Sequence, residues 1–463
     1  MYKYTKYTFK EVINMKKHSL SSWLLFIIPS LLGVFIFMTP LNIEGAWKVP
    51  IAIMANSLAG VIVPVISWFA LAIMTIAAVG SVIYLFLPKT TMKAPSFAAQ
   101  LFRVNLFWTI TRVLAVVFTA MVVFDFGPAA INNPNTAGLL MDPEEGLVTF
   151  LFTIFLFAGL LLPLLTNFGL LEFFGTMMTK VMRPLFKIPG RSSIDALASW
   201  IGDGTIGVLM TSKQYEQGNY TKKEAAIIAT TFSIVSITFC FTILKELNLE
   251  SYFFQFYGTV IIAGLTLALI MPRIYPLRKI EDTYIDGSTE QKEEVLQDEK
   301  LLKIATDRAL TSAKNNSNFS SFWAEGGKNV LDMWIAVAPV VMAFGTIALV
   351  LAEFTPVFSI LGKPFEYYLA ALNIPEAGAA AQTMVVGFAD MLLPAVLGSG
   401  IESEMTRFVI ATVSVTQLIY MSEVGGLILG TKIPLKIWDL IIIFLLRTVI
   451  SLPIIAIMAH IFF

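Results

Sequence analysis

The chain has 463 residues, of which 57% are hydrophobic and only 14% charged, with 32 basic and 32 acidic side chains cancelling to zero. Soluble domains carry about 25% charge, so this composition excludes an ordinary soluble fold and describes an integral membrane protein. Zero net charge gives no electrostatic footprint for nucleic acid. One cysteine, Cys240, excludes a disulfide framework, and two histidines at opposite ends of the chain leave no ligand cluster for a metal.

The apolar runs are read against the roughly 20 residues that a helix needs to cross the hydrocarbon core. A lysine-rich start precedes the run 23–39, which has no small-residue cleavage site after it and is read as an uncleaved first helix. Residues 49–62 hold Asn56 and Gly60, with Pro64 beyond, and are expected to be too short to cross, forming a re-entrant or interfacial piece. Spans are expected near 22–39, 63–87, 107–125, 147–165, 225–245, 252–271, 330–352, 405–428 and 437–461. No phosphate-binding loop occurs, so the chain is not an obvious NTPase; with no apparent nucleophile–base pair or metal set, no cofactor is implied and an enzyme is not expected.

Orientation follows lysine and arginine in short loops. The basic start, the segment with Lys89, Lys93 and Arg103, and the segment with Lys180, Arg183, Lys187 and Arg191 are placed in the cytoplasm. The loop with Asp125, Asp142, Glu144 and Glu145 is placed outside. Two glycine-broken apolar segments then stand out. GRSSIDALASWIGDGTIGVLM (190–210) follows Ile188-Pro189 and precedes a helix with Ile228-Ala229-Thr230; EAGAAAQTMVVGFADMLLPAVLG (376–398) follows Ile374-Pro375 and precedes a helix with Ile410-Ala411-Thr412. Charge places the first as a hairpin dipping in from the cytoplasm and the second, 376–400, as one dipping in from the opposite face. The expected fold is all-α integral membrane, with about nine transmembrane helices and two inverted repeats, each with an interfacial helix and a re-entrant hairpin. The divisions are 1–145 (scaffold helices), 146–271 (repeat 1), 272–328 (a charged cytoplasmic linker) and 329–463 (repeat 2).

A half-helix of ten residues rises about 15 Å, half the hydrocarbon core, so both breaks reach the midplane. Asp203 and Asp390 stand at the starts of the return helices. Each either caps its helix or ligates a cation or solute, because intramembrane carboxylates usually face a cavity. Gly202, Gly204, Thr205 and Gly387 complete the tips, and Thr231, Ser233, Ser414 and Gln417 lie on the following helices beside them. Hydroxyls there serve either close helix packing or ligand binding. Glu423 is read as an ion-pair partner of Arg447 or as a proton-coupling carboxylate. Arg112 is expected to snorkel to the cytoplasmic surface, and Trp200 and Trp334 to be packing or interfacial residues.

The stretch IPGRSSIDALASWIGDGTIGVLMTSKQYEQGNYTKKEA resembles the Gate-domain, or nucleoside-recognition, group. It shows that group's small-residue half-helix, glycine-rich break, return helix and polar turn before Lys-Glu-Ala. The whole chain resembles the YjiH family of Gate-domain membrane proteins. The resemblance implies a fold like that of concentrative nucleoside transporters. The expected function is a permease for a small polar solute, a nucleoside or related compound. It would be driven by a Na+ or H+ gradient through alternating access in the cytoplasmic membrane. The alternative is a non-transporting Gate-domain scaffold or subunit acting with a second membrane protein, or as a homo-oligomer. The tip departs from the group's pattern at Trp200-Ile201-Gly202-Asp203-Gly204-Thr205, where small residues and a proline are common.

Overall fold

The computed structural model describes residues 19–39, 41–43, 46–87, 97–143, 146–202, 204–232, 235, 237–290, 301–316 and 318–463. Among them, seven helices are long and apolar enough to cross a membrane: Leu20–Met38, Pro50–Phe86, Leu106–Val123, Leu147–Thr166, Glu250–Arg273, Ser320–Phe354 and Ile437–Phe462. The protein is a multi-pass membrane protein. The other two segments expected to cross, 225–245 and 405–428, are interrupted helices, and their interruptions turn out to organise the candidate site.

The N-terminal part holds α1 (Leu20–Met38), a short antiparallel hairpin of β1 (Leu41–Ile43) and β2 (Ala46–Lys48), and α2 (Pro50–Phe86). The re-entrant reading of 49–62 is overturned, because α2 is one helix of 37 residues. Pro64 removes a single N–H from the ladder. Ending the helix there would expose four carbonyls and then four more N–H groups where no water can meet them. At 1.5 Å per residue α2 is about 55 Å long, long enough to cross as one helix. It packs on α4 (Leu106–Val123) and α6 (Leu147–Leu161), with α3 (Phe97–Phe102) and α5 (Ala137–Met141) as short connectors. Arg112 on α4 does not snorkel. It is buried, donating to Ser81 Oγ on α2 at 2.6 Å and to the Leu101 carbonyl on α3 at 2.9 Å.

Two runs of elements then follow the same order. The first is α6 with α7 (Pro163–Thr166), the amphipathic α8 (Leu170–Phe186), and a hairpin of α9 (Ser192–Leu197), a π-helical turn (Ala198–Gly202) and α10 (Gly204–Glu216). An interrupted helix follows, α11 (Lys222–Ile227) with a π-helical turn (Ile228–Phe232), then α12 (Ile237–Glu246); α13 (Phe253–Ile270) closes the run. Between the runs, α14 (Leu301–Asn315) packs on α8 and α1. Next, α15 (Phe319–Asp332) begins well inside the segment read as a linker and continues through a π-helical turn into α16 (Ala338–Phe354). The second run is α16, α17 (Val357–Ala371), a hairpin of α18 (Ala377–Ala380), α19 (Thr383–Val386) and α20 (Leu393–Gly398), an interrupted helix of α21 (Glu404–Gln417) and α22 (Val424–Gly430), and α23 (Ile437–Phe462).

Candidate functional site

An interrupted helix leaves four carbonyls without partners at the end of its first half. At membrane depth each must find a donor from the protein. At the end of α21 the accounting closes. The Tyr420 hydroxyl shares its one proton between the Ser414 and Val415 carbonyls, at 2.6 and 2.9 Å, and accepts from the Leu418 N–H at 3.1 Å. Arg447 Nε and Nη2 donate to the Thr416 carbonyl at 2.9 and 2.6 Å, and Nε reaches the Gln417 carbonyl at 3.0 Å. Leu418 adopts a left-handed conformation, φ +64°, and turns the chain out of the helix.

The unwound segment after it is stitched to the tip of the second hairpin. Met421 N–H donates to the Phe388 carbonyl at 2.8 Å and Ser422 N–H to the Ala389 carbonyl at 3.0 Å. Asp390 completes the junction. Its Oδ1 accepts from the Leu392 N–H at 2.8 Å, at the head of the return helix, and its Oδ2 from Ser422 Oγ at 2.7 Å. Gln417 ties the other arm, donating from Nε2 to the Met384 carbonyl at 2.6 Å and to Thr448 Oγ1 at 2.9 Å. Its Oε1 faces Gly387, where an added Cβ would sit 2.2 Å away.

The first half repeats the theme with different chemistry. Trp200, in the π-helical turn of the first hairpin, donates from its indole N–H to the Phe232 carbonyl at 2.9 Å, at the last residue of the π-helical turn after α11. Trp334 makes an equivalent bond to the Phe152 carbonyl at 3.0 Å. The role expected of both was packing or an interfacial position; each also donates a hydrogen bond to backbone. Thr205 is buried on α10. The hydroxyls of Thr231 and Ser414 are buried and donate back into their own helices, to the Ile227 and Ala411 carbonyls. Each keeps lone pairs for a further donor. Asp203 and Ser233 lie outside the described residues, and only the backbone of Gly202 is described.

The ion pair expected between Glu423 and Arg447 does not form. Arg447 is buried on α23, and its third contact, from Nη1, goes to the Thr230 carbonyl at 2.8 Å. Each of its three nitrogens thus donates to a backbone carbonyl, and Glu423, which is buried, stands just before α22. The guanidinium thus bridges the two interrupted helices. Among the described residues no group of three or more His, Cys, Asp and Glu could hold a metal ion.

Below the junctions a cavity of about 190 Å³ opens between α4 and the α15–α16 region on one side and α10 with the end of α22 on the other. Ion pairs line it. Lys213 on α10 meets Asp332 on α15 at 2.5 Å and Glu216 at 3.6 Å, and Glu216 meets Lys432 at 3.2 Å. Near the polar turn after the first hairpin, Thr221 and Glu224 form a reciprocal cap for α11. Glu224 pairs with Arg183, and Thr221 Oγ1 donates to Asp282 at 2.6 Å.

Comparison with known proteins places this arrangement. The Gate family, described as nucleoside recognition, matches residues 148–250, which span α6, the first hairpin and the first interrupted helix. The chain is 49% identical over 439 residues to an uncharacterised protein of Alkalihalophilus pseudofirmus, covering 95% of this chain and 94% of the relative. It belongs to that protein's family, a family of Gate-domain membrane proteins, which agrees with the resemblance read from residues 188–225. A solved structure of CNTnw in an outward-facing state aligns over 89% of this chain and 99% of its own, at 14% identity and a TM-score of 0.41.

Proposed function

We propose that this chain is a permease for a small polar solute of nucleoside type, working by alternating access in the cell membrane and driven by an ion gradient. The observation that carries the reading is the double junction of hairpin tip and interrupted helix. In each run the hairpin is hydrogen-bonded to the interrupted helix that follows it. Paired discontinuous helices in corresponding halves are how secondary transporters build a site at mid-membrane. The two runs are read as inverted repeats, 146–271 and 329–463, set on the scaffold of residues 1–145.

In this reading Asp203 and Asp390 act both as helix caps and as ligands for the coupling cation or a solute hydroxyl. Gly202, Gly204 and Gly387 let the backbone approach the solute. Thr205, Thr231, Ser233 and Ser414 offer hydroxyls. Gln417 holds the second tip in place, and Glu423 is the reserve proton-coupling carboxylate.

The test is uptake of labelled nucleosides and nucleobases into proteoliposomes. Asp203→Asn and Asp390→Asn are expected to cut uptake at least tenfold while the proteins still insert and fold. Asparagine keeps a capping oxygen and removes the charge. Full uptake in both variants would return the aspartates to capping alone. Absence of uptake for every solute, with a second membrane protein retained on purification, would favour the subunit reading instead.

A further inference from the structure

Arg447 stands in an apolar helix of 26 residues, 2% exposed, and makes no ion pair within 4 Å among the described residues. A buried guanidinium without a carboxylate needs another source of negative potential. The structure supplies it from two helix ends. The C-terminal end of α21 offers the Thr416 and Gln417 carbonyls, and the C-terminal end of the α11 helix with its π-helical turn offers the Thr230 carbonyl. Each helix C-terminus carries about half a negative charge, so two of them balance one cation. Unwound carbonyls and half-helix C-termini are also the groups that hold free Na+ in broken-helix transporters.

We propose that Arg447 is a tethered cation: its guanidinium fills the carbonyl cluster between the two interrupted helices and clamps them to one another. Arg447 is a positioning residue. Its planar fork spans carbonyls from segments 217 and 31 residues away in sequence. A single metal ion or an ammonium cannot present separated donors in that way. The cluster is therefore closed to a free metal ion in the native chain.

The experiment uses the purified full-length chain in lipid nanodiscs, with unfolding midpoints read in N-methylglucamine, sodium and guanidinium chlorides at millimolar, matched ionic strength. The native protein is expected to respond equally to all three. Arg447→Ala opens the clamp and leaves a carbonyl-lined cavity, so its midpoint is expected to fall and to be restored by guanidinium. Arg447→Met fills the space without charge and is expected to fall without rescue. A methionine variant as stable as the native chain overturns the proposal, and so does an alanine variant that guanidinium does not restore. If the alanine variant does not accumulate, Arg447→Lys decides. Its point charge is expected to keep Thr416 and release Thr230, raising amide exchange over 226–232 about tenfold while 412–418 stays protected. Unchanged exchange at both segments overturns the clamp.

Discussion

Gly387 closes the first arm of the second hairpin in an ordinary right-handed conformation, φ −54° and ψ −20°, which alanine adopts without strain. Its backbone therefore does not require glycine; its surroundings do. A Cβ there would lie 2.2 Å from Gln417 Oε1 and 3.3 Å from Pro394 Cγ. Gly387→Ala must expel the Gln417 amide, and with it the hydrogen bonds to Met384 and Thr448. Leaving a buried polar group without its partner costs about 1–3 kcal/mol. Two such losses give a destabilisation of about 2–6 kcal/mol for Gly387→Ala. The same substitution made on top of Gln417→Ala meets no amide. It then retains only the tight Pro394 contact, offset by the loss of about 0.4–1 kcal/mol of unfolded-chain freedom. The Pro394 and unfolded-chain terms are common to both backgrounds and cancel, so the double-mutant cycle should show a coupling of about 2–6 kcal/mol, measured by SDS-driven unfolding in mixed micelles. Coupling below about 0.5 kcal/mol, the usual error of additivity for independent sites, would refute the argument that Gln417 is what makes position 387 a glycine.

Trp200→Phe keeps the ring and removes the donor to the Phe232 carbonyl. Amide exchange over 228–232 should rise about tenfold, since one net hydrogen bond is worth roughly 1 kcal/mol or slightly more; unchanged exchange would show that the indole only packs. Topology is checked by single cysteines at Gln217 and Lys363, both exposed, with the buried Cys240 as a silent background. The first should label only from the cytoplasm and the second only from outside, and labelling from one side alone would rule out inverted repeats. Glu281→Gln should leave stability unchanged near neutral pH. Its hydrogen bond from Lys222 holds the Glu281 carboxyl below its ordinary range and the Lys222 ammonium above its own. The Glu281 contribution would thus be lost as pH falls through its lowered pKa, and that of Lys222 as pH rises through its raised one. Both groups are exposed, however, and surface pairs contribute little; a clear drop in the unfolding midpoint would mean that residues 277–288 bind the first hairpin's turn through this pair.

The spans and hairpins were legible because burial in lipid is a one-dimensional signal. A run of apolar residues has to be a helix, and a run broken by Gly202-Asp203-Gly204 or by Gly387 has to turn. What the signal does not contain is continuity. The periodicity of 225–245 and 405–428 is equally compatible with one straight helix or two halves. In the first, no proline or glycine announces the break; in the second, Gly425 and Gly426 lie beyond it, already inside α22. The misreading of 49–62 is the converse, since Gly60 and Pro64 look like a break but sit in an unbroken helix. Composition flags residues that can end a helix. Whether one ends depends on what waits to receive the freed carbonyls.

That dependence explains why the candidate site was only half visible. Asp390 was found because a carboxylate in an apolar run is conspicuous. Arg447 was equally conspicuous, and charge alone suggested Glu423 as its partner. Carbonyls are present at every residue and carry no sequence mark, so the real partners, Thr416, Gln417 and Thr230, could not be read from side-chain identity. Two halves of the chain unwind only because groups elsewhere accept the consequence: Tyr420 and Arg447 for α21, Trp200 and again Arg447 for the helix ending at Phe232. An indole and a hydroxyl act within their own runs, whereas the guanidinium serves both. A substitution at Arg447 is thus felt at the two breaks together. Substitutions at Trp200 or Tyr420 stay in one half, and that asymmetry separates a clamp from three independent caps.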